Sequence, residues 1–468
     1  MISKEKTKLI LSDIRFWIIL FFIIRLVGIT NPPLEIGHNW RQSLTNMVAR
    51  NFLEGNSSIL YPTIDMAGNE SGIIGTEFPF FNYIIYSVSS IVDYSHWYGR
   101  LINLIVSSLG IYFFFLIIKN ILSERTATFA TIVLLSSIWF GYSRKIMPDT
   151  FSVSLVIIGL YYCYSYLTKG KFNHLLLYFV FSTLGVLCKI PALSLIAVVG
   201  LILFMKDIEL AKKIRVIIVS TISFGIVCLW YFYWVPYLVE TYHFPLYFPK
   251  GFMEGIQEII PLLPDLSEKF YFSALFSYIA LPFFLFGLVT LVRSDFKYLK
   301  MGLSIITIVF FIFIVKTGAV FPLHSYYIVP FTPIMALIVG IGLNKLPVKW
   351  AIIAVSLIAF EGIMNQQHDF FIKDSEQHKA QLESILDQYI PKNELIIING
   401  GQSPQDIYFA HRKGWSLEGD SLHTEKIETL REKGARFLVI EKCKQTNQLE
   451  FGEPVYDDPN YQVFELTN

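Results

Sequence analysis

Cysteine is scarce in this 468-residue chain: four in all, with no CxxC pair. Cys163, Cys188 and Cys228 lie in apolar runs and Cys443 stands alone in the tail, so neither a disulfide framework nor a zinc site is supported. Charge is scarce as well. Asp, Glu, Lys and Arg make up 16% of residues, where a soluble domain of this size carries about 25%. No Gly-rich phosphate loop precedes a helix, since Asn399-Gly400-Gly401 alone is too weak a pattern to count. Internal repeats and low-complexity linkers are missing. The first apolar segment lacks a small-residue cleavage site and therefore reads as a retained span, not a signal peptide. Nothing in the charge balance suggests a nucleic acid partner.

What is present is long apolar sequence, recurring from Ile14 to Met364. Only α-helices and closed barrels satisfy their backbone in lipid, and these runs are too long and continuous for barrel strands. The chain therefore reads as a polytopic α-helical membrane protein. Eleven spans are expected, near residues 14–30, 100–119, 126–142, 150–168, 174–188, 191–205, 215–235, 272–292, 301–316, 325–343 and 349–364. Phe80–Ile91 is apolar but a dozen residues long, which predicts a re-entrant or interfacial helix.

Charge orients the spans. With the N-terminus cytoplasmic, inner segments hold Lys4, Lys6, Lys8, Lys119, Arg125, Lys169, Lys171, Lys206, Lys212, Lys213, Arg215, Arg293, Lys297, Lys300, Lys345 and Lys349. Outer loops hold far fewer, as the positive-inside rule requires. The long first loop, the Ser143–Asp149 turn, the Lys189 turn, the Pro236–Tyr271 loop, Phe321–His324 and the C-terminal tail then share the outer side. Residues 366–468 carry 18 Asp and Glu against 11 Lys and Arg, a net of −7, which leaves +8 for the membrane part. A basic membrane part suits anionic headgroups or phosphates. The domain organisation expected is a transmembrane domain over 1–365, with a loop at 31–99, and a soluble extracytoplasmic α/β domain over 366–468. In that tail, Lys373–Tyr389 and Glu425–Lys433 have helical spacing, and Glu394–Ile398 and Arg436–Glu441 read as strands of a parallel sheet.

Polar residues at the outer mouths are the candidates for chemistry. The first loop opens on His38-Asn39-Trp40-Arg41-Gln42 and contains Thr76-Glu77-Phe78-Pro79. A loop this long is functional or disordered, and its aromatic content argues against disorder. Arg41 is suited to bidentate phosphate binding, whereas Trp40 suits interfacial packing. Ser143–Asp149 packs Arg144, Lys145 and Asp149 into one short turn; Asp149 as a simple helix cap is the alternative. Lys189 lies between two apolar runs, where an ionisable group is costly unless it snorkels or functions. His324, followed by Tyr326 and Tyr327, is placed to bind phosphate or to belong to an aromatic belt. Arg25 and Glu361 sit near span ends, where snorkelling explains them. Phe252–Leu263 has the pattern of an amphipathic surface helix, useful for covering a lipid groove.

Taken in order, these motifs resemble the GT-C glycosyltransferases. They are the short motif after the first span, the Glu-Phe-Pro loop, Gly99-Arg100-Leu101, Arg-x-x-x-Pro-Asp, Lys189-x-Pro, His324-x-Tyr-Tyr and Arg412-Lys413-Gly414-Trp415. The nearest branch is that of lipid A aminoarabinose transferases and protein O-mannosyltransferases. The resemblance is good over roughly residues 30–200 and thin afterwards. It implies a membrane hexosyl- or pentosyltransferase of the cell envelope, in a bacterial-type cytoplasmic (inner) membrane. Such an enzyme moves a sugar from a polyprenyl-phosphate donor to an acceptor hydroxyl on a lipid, glycan or protein, with inversion. Arg41, Arg144, Lys189 and His324 would then grip the phosphate. His38, Asn39, Trp40, Gln42, Lys145, Tyr326 and Tyr327 would line the cleft, among membrane lipids. Family members usually carry an Asp-Glu pair where this chain has His38-Asn39. Asp149 and Glu77 become the expected bases, with Glu35 and Asp65 in reserve. A divalent cation (Mg2+, Mn2+ or Zn2+) is an open expectation with no assigned ligands. The rival readings are a transporter or flippase of lipid-linked sugars and an O-antigen polymerase or ligase.

Overall fold

The computed structural model describes residues 13–55, 57–243, 250–445 and 452–466. Lys4, Lys6 and Lys8, which carry part of the charge asymmetry, lie outside the described residues, as do positions 244–249 of the Pro236–Tyr271 loop. Four helices are long and apolar enough to cross a membrane: Tyr98–Ile121, Pro148–Lys169, Leu210–Tyr242 and Lys297–Thr317. Shorter apolar helices include Ile14–Ile24, Phe80–Val92, Phe172–Cys188, Ala280–Arg293 and Thr332–Asn344. The chain divides into two compact units. One holds Met1–Ile29, Arg100–Tyr233 and Tyr247–Phe370; the other holds Thr30–Gly99, Trp234–Leu246 and Phe371–Asn468.

Among the described residues, the regular elements of the first unit are helices. Its helices pack through small residues, as expected where lipid gives apolar surfaces no reason to associate. A Cβ on Gly287 would fall 1.9 Å from the Ile338 carbonyl oxygen, so Ala280–Arg293 and Thr332–Asn344 approach almost backbone to backbone. The expected 272–292 span is interrupted. Phe276 takes a left-handed conformation (φ 49°), and the helix starts only at Ala280. Glu361 holds that break. Its carboxylate accepts from the Ser277 hydroxyl (2.5 Å) and from the Tyr278 and Ile279 amides (3.1 Å each), which corrects the snorkelling expectation for this residue. Phe252–Ile259 is a helix, and its Glu258 pairs with Lys250 (2.9 Å) and accepts from the Ala319 amide (3.0 Å).

The second unit contains a mixed sheet. Its strands are β1 (Leu395–Ile398), β2 (Gly414–Ser416), β3 (Ala435–Glu441), β4 (Tyr456–Asp457) and β5 (Tyr461–Glu465), in the spatial order β2-β1-β3-β5-β4. β1 pairs in parallel with β2 and β3, but β5 runs antiparallel to both β3 and β4. The expectation of a parallel sheet thus holds for only half of it. The reason lies in the turn before β5: Asp458 Oδ1 accepts from the Asn460 and Tyr461 amides, closing a tight hairpin that reverses the chain.

The first loop and the tail share one hydrophobic core. Met47, Val48, Phe52, Ile64 and Ile74 pack with Ile396, Ile398, Tyr408, Val439 and Val463. A polar joint runs through the same region. Arg50, 3% exposed, lies 4.7 Å from the Tyr408 ring centroid, donates to the Tyr408 carbonyl (3.1 Å) and pairs with Asp65 (3.2 Å). Asn51 also donates to Asp65 (3.0 Å). Asp65, held in reserve as a base, is therefore a partner for these two side chains, and Glu35 accepts from Asn31 (3.0 Å). At the rim, His411 bridges Glu54 (2.5 Å) and Glu383.

That bridge makes the joint sensitive to pH. Burial disfavours the charged imidazole, but the hydrogen bonds to Glu383 and Glu54 outweigh it and raise the His411 pKa above 6.5. Burial likewise opposes ionisation of Glu383 and Glu54, and the His411 bonds reverse this and lower both. The imidazolium contribution is complete below pH 6.5 and fades as pH rises through the raised value. The carboxylate contributions are complete above about 4.5 and fade as pH falls. The thermal midpoint of the detergent-purified protein should therefore be highest between those limits. Its alkaline-side decline should flatten in His411→Gln; an identical decline in that variant would exclude the bridge as the cause.

Candidate functional site

Three turns of the helical unit meet around Asp149 and Lys189. Pro148 begins the Pro148–Lys169 helix at its first position, where a missing amide costs nothing, and Met147 is the N-cap. Asp149 thus sits inside the first turn and is not the cap, and there the helix dipole favours a carboxylate. Lys189 ends the neighbouring Phe172–Cys188 helix in an extended conformation, followed by Pro191. The two helices approach closely at Gly185, where a Cβ would lie 2.9 Å from the Ser152 carbonyl oxygen. The Ser152 hydroxyl in turn donates to the Gly185 carbonyl (2.7 Å). That close approach brings Lys189 Nζ to 3.9 Å from Asp149 Oδ1.

Lys189 is 13% exposed and Asp149 4%, so the lysine is the member of the pair that a ligand reaches first. Its Nζ also lies 5.3 Å from the Tyr326 ring centroid, and His324 stacks on the same ring (5.1 Å, 11°). Tyr327 lies edge-on to Tyr326 at 4.7 Å. Tyr142 ties this turn down through a 2.6 Å hydrogen bond between its hydroxyl and that of Ser325. Asp149, Lys189, His324, Tyr326 and Tyr327 are therefore brought together.

Arg144 and Lys145 are placed differently. Each is 1% exposed. The Arg144 guanidinium lies 4.0 Å from the Phe370 ring centroid and donates to the Val27 carbonyl (2.8 Å). Lys145 pairs with Asp369 at 2.8 Å and faces the Tyr142 ring. Both anchor the turn that carries Asp149. Arg25 is fully buried and donates to the Ser143 hydroxyl (2.5 Å), so it does not snorkel to a headgroup. Two residues that sequence reasoning passed over hold the same turn. Asn103 donates to the carbonyls of Tyr142 (3.1 Å), Lys145 (2.9 Å) and Met147 (3.2 Å), and accepts from the Thr150 hydroxyl (3.0 Å). Gln366 accepts from the Gly141 amide (3.0 Å) and donates to the carbonyls of Ser136, Ser137 and Gly362. For Asn103 an amide side chain inside an apolar run was the available signal; Gln366, in Asn365-Gln366-Gln367-His368, offered none.

In the other unit, Arg41 and Glu77 form a direct ion pair, 12% and 19% exposed. They line a small open recess with Leu44, Thr45, Val48, Ile74, Thr76, Pro79 and Asn82. His38 precedes the Asn39–Leu53 helix in a left-handed conformation (φ 55°) after Gly37 (φ 84°), a costly backbone for a non-glycine residue. Asn39 accepts from the Trp40 amide (2.8 Å), while Gln42 is buried. The residues do not fit the expected divalent cation here. Asp149 pairs with Lys189 and Glu77 with Arg41. Among the described residues, no three metal-type donors gather around either carboxylate.

Residues 76–234 match the family described as dolichyl-phosphate-mannose-protein mannosyltransferase. Among solved structures, ArnT from Cupriavidus metallidurans, bound to undecaprenyl phosphate, superposes with a TM-score of 0.61 at 11% identity. That match covers 96% of this chain and 98% of the other. The archaeal oligosaccharyltransferase AglB from Archaeoglobus fulgidus, in complex with an inhibitory peptide and a dolichol-phosphate, gives 0.58 at 12% identity over 91% of this chain and 69% of its own. No curated protein matches the chain in sequence.

Removing the Asn103 amide takes one donor from each of three buried carbonyls, and a buried acceptor left unsatisfied costs about 1–3 kcal/mol. Asn103→Leu should lower the thermal midpoint by several degrees. Asn120→Ala, which removes an exposed bond on the same helix, should leave it within a degree. Equal effects in the two variants would reject the positioning role of Asn103.

Proposed function

We propose, from the fold shared with ArnT and AglB and the family match over residues 76–234, that the chain is a membrane glycosyltransferase of the GT-C type. It takes a sugar from a polyprenyl-phosphate donor and passes it to the hydroxyl of a lipid, glycan or protein acceptor on the extracytoplasmic face. The observation that carries this reading is the Asp149–Lys189 pair beside the stacked His324 and Tyr326.

The chemistry asks for two things. Departure of a phosphate needs positive charge, and an acceptor hydroxyl needs a base. Lys189 supplies the charge, with His324 beside the same ring as a further donor. Asp149 supplies the base. Its 3.9 Å separation from Lys189 is looser than the direct contact that Arg41 makes with Glu77. The acceptor oxygen attacks the sugar's C1 from the face opposite the phosphate. The C1–O bond breaks, its electron pair stays on the phosphate, and the hydroxyl proton passes to Asp149; the configuration at C1 inverts. In the other unit, Arg41 and Glu77 form a separate charged pair. The N-terminus is placed in the cytoplasm and the tail outside, from the distribution of lysine and arginine along the chain.

The test is incubation of the purified protein with a panel of polyprenyl-phosphate sugars, following release of polyprenyl phosphate. Asp149→Asn should lower kcat by about 10²–10⁴. Lys189→Met should raise KM for the donor and lower kcat together, and Glu77→Gln should have the smaller effect. Full activity in both Asp149→Asn and Glu77→Gln would sink the assignment. Donor movement across vesicles with no cleavage would favour a transporter.

A further inference from the structure

We infer that the C-terminal tail carries a transition-metal site formed by His378, Glu441 and Cys443. Each offers one ligand atom, and the three atoms lie within 4.8 Å of one another. His378 Nε2 is 2.9 Å from Glu441 Oε1, and Cys443 Sγ is 3.4 Å from the same oxygen. Ligands that share a tetrahedral ion at about 2.0–2.3 Å stand roughly 3.2–3.8 Å apart, so small side-chain shifts suffice to admit one. Imidazole with thiolate and carboxylate suits Zn2+ or Co2+. Magnesium and calcium prefer oxygen alone.

The donors stand on ordered backbone. Glu441 closes β3, and Asn399 grips its main chain from both sides, accepting from its amide (2.7 Å) and donating to its carbonyl (2.9 Å). Cys443 follows two residues later, exposed to solvent, which gives an ion its entry path. His378 comes from the Asp374–Gln381 turn and lies 5.3 Å from the Tyr461 ring centroid.

Three further features point to a ligand. First, Glu441 divides its work. Oε1 faces His378 and Cys443, with Lys379 Nζ further off at 3.8 Å, while Oε2 pairs with Lys444 at 2.7 Å, the outer contact expected of a ligating carboxylate. Second, the local charge suits a dication. Lys379 and Lys444 are offset by Glu376, Asp406 and Glu441. A metal-bound Cys443 thiolate adds a fourth negative charge, so four stand against two. Asp406 retains Lys444 at 2.6 Å, which limits repulsion of an incoming ion. Third, the Tyr461 hydroxyl is buried with no hydrogen-bond partner among the described residues, and its electrostatic neighbours are Glu441, Asp406 and Cys443. A water in the fourth coordination position would give it one. The site staples the segment after the last apolar helix to the central strand of the sheet.

The experiment uses the full-length, metal-stripped protein in detergent, titrated with Co2+ and with Zn2+. One Co2+ per chain should bind with a thiolate-to-cobalt absorption band, and Zn2+ should raise the thermal midpoint by several degrees. Cys443→Ser and His378→Gln should each abolish the band and weaken binding at least tenfold, whereas Cys228→Ser should change neither. The unaltered protein gives a check that does not depend on how the variants fold. Zn2+ should slow alkylation of Cys443, mapped by mass spectrometry, and chelator should restore it. No binding by the wild type, an unchanged band in both variants, or alkylation indifferent to Zn2+ would overturn the proposal.

Discussion

Charge withdrawn from water has to be answered nearby, at several kcal/mol per ion if it is not, and the helical unit is organised by that requirement. Arg25, Arg144, Lys145 and Asp149 are each 4% exposed or less. Their partners come from far along the chain: Ser143 for Arg25, Val27 and Phe370 for Arg144, Asp369 for Lys145, Lys189 for Asp149. Because these pairings tie the end of the Ile14–Ile24 helix, the Gln367–Phe370 turn and Lys189 to the 143–149 turn, satisfying the charges also sets the position of the turn. Burial then separates two kinds of residue. Arg144 and Lys145 are buried in holding the turn, whereas Lys189 and His324 keep some exposed surface.

The same logic, in a wetter setting, explains why the long first loop is ordered. A loop of this length pays for closure only slowly as it grows, but each residue fixed in place must be repaid by contacts. Its repayment comes from the tail. Met47, Val48 and Phe52 enter a core with β1, β3 and β5, and Arg50 sits on the Tyr408 ring. Tyr408 then gathers His96 (2.6 Å) and Tyr94 (2.5 Å) around its hydroxyl. Loop and tail form one folding unit, so a truncation of the tail removes the support of residues near Arg41 and Glu77.

How much of this was legible in the sequence depends on the range of the interaction. Lys189 and Asp149 could be picked out because an ionisable residue next to an apolar run is conspicuous wherever its partner lies. Arg25 and Glu361 were equally conspicuous but misread. Distance from a span end suggests snorkelling, and nothing local reveals that Ser143 or Ser277 is waiting 118 or 84 positions away. In the sheet, β1 and β3 are runs of β-branched and apolar residues and could be read directly. β2 is Gly414-Trp415-Ser416 and β4 only two residues long. Their strand character comes from pairing with neighbours, not from propensity, and the antiparallel return of β5 follows from a side chain closing a turn. The His378, Glu441 and Cys443 cluster was invisible for the same reason, since 63 positions separate the histidine from the glutamate.

The two carboxylates brought forward as bases face a common difficulty: each has a cation beside it. In a metal-dependent site, carboxylates converge on an ion that also neutralises the phosphate. Here Asp149 faces Lys189 and Glu77 faces Arg41. With His38 and Asn39 in place of an acidic pair, the proposed reading gives side-chain cations the task of meeting phosphate charge. On that reading the looser pair, Lys189 with Asp149 at 3.9 Å, is the one a substrate phosphate can enter, whereas Arg41 and Glu77 are in direct contact.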